Sequence, residues 1–378
     1  MANIDMLFVK NKYTGFRNYL ITKIRSNEKW LSRWKRVLGY KRVWQHMESD
    51  DDSINVSWCS QLNGSLLVVC RRNSTNHRNF SAIRKYVPGI KLVELKDCVD
   101  EVKRAQYDGV IVCIQHDTSV ERSRYSEVLV ALYSRHLNVY PALVEGAVYE
   151  NKRCLRDVCV ANDIAIPDTK VFDAYSDLDQ ALPTISFPAI LKSSMGAGAS
   201  GVIKITSSKM LMKYAKLAFG SGLNRKMADY RDKDWGYILV QEYIPNLREY
   251  RVIKIGESWF AHEKIANDQG FHSGSGNSRW ISPELALLEF CWDVANKLKI
   301  NIAAFDIFET TEGRYLVNEI QCWFGSYSPS QMYVDGKPGR YIKKNHGWEF
   351  EEGEYNVYGG ALLRATVLLN EMKIKEIT

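Results

Sequence analysis

Three groups of residues in this sequence have the types and spacing for chemistry on charged oxygen. The first is Lys192 and the loop behind it, Ser193 to Gly201, built almost wholly of Gly, Ala and Ser. Ile190-Leu191 lead into Lys192, and Val202-Ile203-Lys204-Ile205 alternate as a half-buried strand does. Gly196, Gly198 and Gly201 spell G-x-G-x-x-G, yet a dinucleotide site needs a helix after the glycines and here a strand follows. Strand, small-residue loop, strand reads as a hairpin flap. Its backbone N–H groups, with Ser200 and Val202 at the far side, can approach phosphate oxygens closely, and Lys192 adds a mobile point charge. An ordinary surface hairpin is the alternative.

The second group is Glu249, Arg251 and Lys264. Arg248 to Gly256 alternates as a strand, turns at Gly256-Glu257 and returns through Trp259 to Lys264, so the three charges line one sheet face. Buried charges there need a charged ligand or each other. The third group is Asp306, Glu319 and Gln321. Asp306 sits inside the apolar strand Ala303–Phe308, and a turn at Thr311-Glu312-Gly313 returns the chain as Tyr315–Gln321. Asp306 and Glu319 then stand side by side, with Gln321 on the same face. Adjacent carboxylates repel unless a cation lies between them, and a few oxygens with open positions suit Mg²⁺. The alternative pairs one acid with a basic residue such as Arg251.

These groups need sheets to hold them. Tyr237 to Pro245 is a further strand, stopped by its proline, and Glu150 to Phe172 is a helix-like run that Pro167 ends and turns into an extended approach. From Ser65 the pattern is α/β: strands Leu66–Cys70 and Gly109–Ile114, a shorter one near Lys91–Val93, and a helix through Tyr125 to His136 leading to Val139–Pro141. Continuous apolar strands alternating with helices predict a small parallel sheet. Trp323, Phe324, Tyr327 and Trp348 either suit a sugar or ring face or pack as core. Lys337 and Arg340, in a turn-rich stretch, could bind an acidic group.

Composition bounds the class. The 378 residues are 46% apolar with no apolar run near the length of a membrane span, and Asn3, Asp5 and Lys10 interrupt the short apolar start, so a cytoplasmic protein without a cleavable signal is expected. The eight cysteines show no paired C-x-x-C spacing and read as reduced core residues. Between Lys10 and Arg42 stand eleven Lys or Arg against one acid, Glu28, with Phe16, Leu20, Ile24, Leu31, Trp34 and Leu38 at helical spacing. Such a segment, residues 10–45, suits peripheral contact with an anionic membrane, with nucleic acid ranked behind it and a solvated helical cap as the plain reading. Glu48 to Asp52 reads as linker.

Taken in order, Lys152, Lys192 with its flap, Gln241-Glu242-Tyr243-Ile244, Glu249-x-Arg251, Asp306 and Glu319-Ile320-Gln321 resemble the ATP-grasp superfamily, over about residues 65 to 375. The resemblance implies an α/β chain whose ATP-grasp fold, two α+β subdomains gripping ATP, follows a small parallel-sheet domain. The boundaries it suggests are 1–62 for the basic extension and linker, 63–145 for the parallel-sheet domain and 146–378 for the ATP-grasp domain, with the lid at about 185–245. It also implies roles. Lys152 and Lys192 contact phosphates, Gln241 to Ile244 present groups to adenine, Glu249 holds the ribose, and Gly196, Gly198, Ser200, Gly201 and Val202 belong to the flap. Asp306 and Glu319 bind metal, with Gln321 where the family usually has Asn. Arg251, Lys264 and His272 act on the reacting groups. Gly270 to Asn277 looks like a substrate loop of members associated with bacterial surface-glycan synthesis, His272 replacing an Arg. The implied activity is ATP- and Mg²⁺-dependent amide ligation of a small-molecule or glycan carboxylate to an amine through an acyl phosphate. Phosphoryl transfer to a hydroxyl and nucleotide binding without catalysis are the alternatives.

Overall fold

The computed structural model describes residues 56–115, 118–196, 201–224, 231–266, 278–327 and 329–377, with side chains described as far as Asn370. The basic segment 10–45 therefore lies outside the described residues, as do Gly198, Ser200 and His272.

The first sheet is all parallel, in the order β2 (Gly89–Val93), β1 (Ser65–Val69), β3 (Gly109–Val112), β4 (Val139–Tyr140). Its strands are apolar without alternation because both faces are covered. Leu67, Val69, Val110 and Val112 pack on Val128, Leu129 and Leu132 of the Ser119–Tyr133 helix. Leu66, Val68 and Ile111, one residue out of phase, join the central core beside Leu362 and Leu363 of the Ala361–Ile377 helix. The expected parallel sheet is present and is bolted to the rest of the molecule by its second face.

The second sheet is antiparallel, in the order β5 (Thr169–Phe172), β10 (Ile238–Glu242), β6 (Ala189–Lys192), β7 (Val202–Ile205). Side-chain parity divides it. Ala189, Leu191, Ile238 and Val240 form a separate core with Leu178 and with Leu211 and Ala215 of the Ser208–Ala218 helix. Lys192, Leu239, Gln241 and Thr169 point the other way, into a cleft. A short hairpin of β8 (Leu223–Asn224) and β9 (Lys233–Asp234) lies beyond β7.

The third sheet faces that cleft. Its order is β15 (Tyr315–Gln321), β14 (Ile302–Glu309), β11 (Arg248–Ile255), β12 (Ser258–Lys264), β17 (Lys337–Lys344), β16 (Tyr333–Val334). The strand β13 (Ser278–Trp280) adds to β12, and β18 (Gly347–Glu352) adds to β17. The helix Leu285–Leu298 buries Leu287, Leu288, Cys291 and Val294 in the central core with Val252, Phe260 and Phe305.

Local chemistry explains two departures from the sequence reading. The helix Lys152–Ala161 ends at Asn162, and Asp163 turns the chain out at φ 50°, so Pro167 stands beyond the helix and only sets the approach to β5. Lys337 and Arg340 each already have an acidic partner. On β17 Arg340 stands opposite Glu351 of β18 and donates to it at 3.0 and 3.2 Å, and the exposed Lys337 donates to Glu352 at 2.9 Å. All eight cysteines are free thiols, and seven of them are buried. Among the described residues no helix is long and apolar enough to cross a membrane.

Candidate active site

Strand register places the charged residues. Across the third sheet Glu319 pairs with Asp306, Asp306 with Arg251, Arg251 with His262, and His262 with Trp280. Directly opposed residues in an antiparallel sheet share a face, so these five side chains make one transverse row. One step along the strands, Glu249 pairs with Lys264 and lies on the same face.

The row is closely paired. Arg251 donates to both oxygens of Asp306, Nε to Oδ1 at 2.8 Å and an Nη to Oδ2 at 2.9 Å. Lys264 Nζ lies 2.6 Å from Asp306 Oδ2 and 2.6 Å from Glu249 Oε1. Gln321 ties the row to its end, donating to Glu319 Oε2 at 3.0 Å and accepting from Arg251 at 3.3 Å. Burial alone would push the Asp306 carboxyl up, but the charges of Arg251 and Lys264 outweigh it and hold the group well below the usual carboxylate range. Lys264, likewise buried, is raised because Asp306 and Glu249 overcome its desolvation.

The lysines expected to meet phosphate come from the opposite side of the cleft. Lys152 opens its helix, whose N-cap Asn151 accepts from the Cys154 N–H. Its own N–H donates to Ser194 O at 3.0 Å, and its Nζ reaches Gly196 O at 2.9 Å and Glu319 Oε1 at 3.4 Å. The base of the flap is thereby tied to Glu319. Lys192 is only 9% exposed and donates to Asn318 Oδ1 at 2.8 Å, so it is a fixed charge and not a mobile one. Burial and the nearby Lys152 charge push its pKa down to about 8.

Asn318 reaches Lys192 because of a bulge. Asp306 pairs with Glu319 but Ile307 pairs with Val317, which leaves Asn318 as the extra residue of β15. Bulges re-aim side chains, and this one turns Asn318 toward the cleft while Glu319 keeps its place in the row. Lys152, Thr169, Lys192, Gln241, Val317 and Asn318 line the cleft.

The match to known proteins follows this geometry. Residues 150–329 match the family model described as the RimK-like ATP-grasp domain. Over this stretch the chain is similar to the RimK-like ATP-grasp domain. Among solved structures, a RimK-domain ATP-grasp protein from Sphaerobacter thermophilus is 15% identical, with TM-score 0.50 over 68% of this chain and 90% of that one. The D-alanine–D-alanine ligase of Bacillus anthracis, solved with ATP, is 12% identical, with TM-score 0.50 over 83% and 100%. An N5-carboxyaminoimidazole ribonucleotide synthetase, solved with ADP, is 12% identical, with TM-score 0.53 over 85% and 100%. At these identities the likeness is one of fold, and the fold is ATP-grasp. None of the curated proteins matches the sequence.

The ATP-grasp domain brings most of the sequence-predicted residues to the cleft. Glu249, Arg251, Lys264, Asp306, Glu319 and Gln321 form one cluster, and Lys152, Lys192 and Gly196 meet it from the lid side. Gly201 closes the flap hairpin, accepting from Ser193 N–H at 2.8 Å, and Val202 starts β7. Gln241 lies in the cleft and bonds Thr169, whereas the Glu242 side chain accepts from Asp168 N–H at 2.8 Å and pins the end of β10. Tyr243 and Ile244 follow β10, with Lys204 over the Tyr243 ring. Of the four aromatics read from the sequence, only Tyr327 joins the site. Trp323 and Phe324 pack beneath Arg364, and Trp348 packs edge-on to Trp259. Sequence reasoning missed Asn318, His262 and Trp280. Strand alternation from Lys264 places His262 on the active face; no local pattern announces the bulge that aims Asn318.

Proposed function

We propose that this protein is an ADP-forming ligase that joins a carboxylate to an amine using ATP and Mg²⁺. The observation that carries the reading is the row Glu319, Asp306, Arg251 faced by Lys152 and Lys192 across one cleft. Four cations, counting Lys264, meet three carboxylates there, and every one is engaged. Such a set exchanges partners readily with a cation–polyphosphate ligand: Lys152 and Lys192 turn to phosphate oxygens as Glu319 and Asp306 take up the cation.

The donor set fits Mg²⁺. Asp306, Glu319 and the Gln321 carbonyl offer only oxygen, from two carboxylates and an amide, the hard-ligand type that leaves positions for water and phosphate. Bound there, the cation would supply charge neutralisation at the transferring phosphoryl group. The protein's own part is positioning: Gln241 and the stretch through Ile244 border the base site, Glu249 lies beside the ribose position, and the lysines hold phosphate. Arg251 presents a planar two-point donor to charge that develops on the transferred group.

In the proposed reaction a carboxylate oxygen attacks the γ-phosphorus and the bond to ADP breaks. The amine nitrogen then attacks the acyl carbon, phosphate leaves and the nitrogen gives up a proton. An acyl phosphate hydrolyses in water, which gives the flap over residues 193–201 its purpose. The acceptors stand as small-molecule or glycan groups, with 10–45 as a membrane-facing segment in the same proposal. Lys192→Ala and Glu319→Ala should each abolish ADP release while leaving the circular dichroism spectrum unchanged; turnover at the wild-type rate in either variant would overturn the assignment.

A further inference from the structure

Beyond Arg251 the active-site row does not end in polar surface. It continues into four rings. His262 lies edge-on to Trp280 at 5.7 Å and 73° and to Tyr327 at 5.5 Å and 84°. Trp280 and Tyr327 meet at 5.3 Å and 79°, and Tyr333 leans on Trp280 at 5.0 Å. Trp280 is 39% exposed and Tyr327 42%, so two large rings stand partly open at the end of the row while His262 beside them is 2% exposed. Rings kept in the open beside a reacting centre have a use that packing does not explain.

From this geometry we infer that His262, Trp280, Tyr327 and Tyr333 bind the carboxylate substrate, and that this substrate is a pyranose sugar bearing a carboxylate. This deepens the ligase reading and rests on it. Mutually perpendicular rings form a corner. A flat aromatic ligand can stack on only one wall of a corner, whereas a saturated ring offers C–H faces to one wall and edge hydroxyls to the next. The corner is also polar-tipped: Tyr327 Oη and Ser278 Oγ are 3.0 Å apart. Among the described residues His262 Nδ1 is buried with no hydrogen-bond partner. Burial, with the Arg251 charge, pushes its pKa down to about 4, so the ring is neutral. A sugar hydroxyl, donor and acceptor at once, can pair with Nδ1 in either tautomer; a hydrocarbon ring cannot. The next residue in the row is Arg251, with Lys264 beside it, and these cations draw the sugar's carboxylate to where phosphoryl transfer would occur.

The test is binding, separate from turnover. D-glucuronate, D-glucose and L-phenylalanine are titrated into the full chain with ATP and Mg²⁺ present, followed by tryptophan fluorescence and saturation-transfer NMR. The expected result is saturable binding of glucuronate, weaker binding of glucose, and transfer concentrated on one face of sugar C–H groups. Trp280→Ala should weaken glucuronate at least tenfold and leave the ATP dissociation constant unchanged, and Tyr327→Phe should weaken it less. Sugar binding through Trp280 without ADP release would keep this site and remove the ligase reading. Sugar that fails to bind, or binds equally to Trp280→Ala, overturns the site even if ligase turnover is found with other acids. Preference for phenylalanine overturns it also.

Discussion

Arg251 and Asp306 face each other across β11 and β14 as a two-point guanidinium–carboxylate pair at 2.8 and 2.9 Å, with Lys264 closing on the same carboxylate. Two cations on one buried acid keep Asp306 ionised and leave Arg251 aimed along the active face. Lysine carries the charge but not the planar fork. Arg251→Lys should therefore keep ATP affinity within a few-fold and lower kcat by about 100-fold or more, the usual cost of losing one oriented donor to developing charge. Steady-state ADP release checks this, and an unchanged kcat would remove Arg251 from the chemistry.

Lys192 gives the site a pH limit. Its pKa is depressed to about 8 by burial and by Lys152, so its charge is present below that pH and lost above it. Phosphate binds the protonated form. ATP affinity measured by calorimetry should hold constant from pH 6.5 to 7.5 and weaken by up to about tenfold per pH unit above 8, the limit for one required proton. Lys192→Arg should remove the fall. A wild-type affinity flat to pH 9.5 would mean Lys192 does not meet phosphate.

The bulge at Asn318 separates two effects. Asn318→Ala removes the acceptor for Lys192 and should weaken ATP by about 1 kcal/mol, the net worth of a typical hydrogen bond. Deleting Asn318 removes the bulge and leaves β15 regular, with Val317 still opposite Ile307 and Glu319 still opposite Asp306. That variant should fold and bind ATP more weakly than Asn318→Ala, because the local bend of β15 beside Glu319 is lost together with the acceptor. Equal affinity for ATP in both variants would show that the bulge has no part in the site.

How far these features could be read beforehand depends on how local their causes are. The hairpin of β6 and β7, the strands β11, β12, β14 and β15, and the facing of Asp306 with Glu319 follow from two-residue alternation and the turns at Gly256 and Gly313. The cluster of Glu249, Arg251 and Lys264 follows too, since a shared face was the only place for their charges to meet. What escaped depends on long-range pairing. Arg340 looks available until β18 brings Glu351 opposite it. Trp280 looks like the end of a loop until β13 pairs with β12 and carries it to the row.

Glu145 shows the same kind of long-range cause. It is buried, and its two oxygens accept from the backbone N–H groups of Ala142, Asn301 and Ile302, at 2.7, 3.0 and 3.3 Å, linking the end of the first sheet to the start of β14. Burial pushes its pKa up to about 7 despite these donors. A carboxyl raised in the folded state contributes stability below its unfolded pKa and loses it as pH rises through 7. Urea midpoints for the wild type should therefore decline from pH 5 to 8 relative to Glu145→Gln, which has no charge to bury. Glu145→Ala should cost about 3 kcal/mol, at the low end of the penalty for each of three stranded donors. Parallel pH profiles for wild type and Glu145→Gln would place the titration elsewhere.

The central claim is tested most directly by the products. The protein is incubated with Mg²⁺, ATP and a pool of acids that includes ¹⁸O-carboxylate-labelled glucuronate, with and without a pool of amines, and the phosphate is analysed by mass spectrometry. The account predicts ADP, one phosphate per ADP carrying one ¹⁸O from the acid, and an amide that forms only when the amine is present. A stable phosphate ester, AMP with pyrophosphate, or unlabelled phosphate accompanying amide from a labelled acid would contradict it.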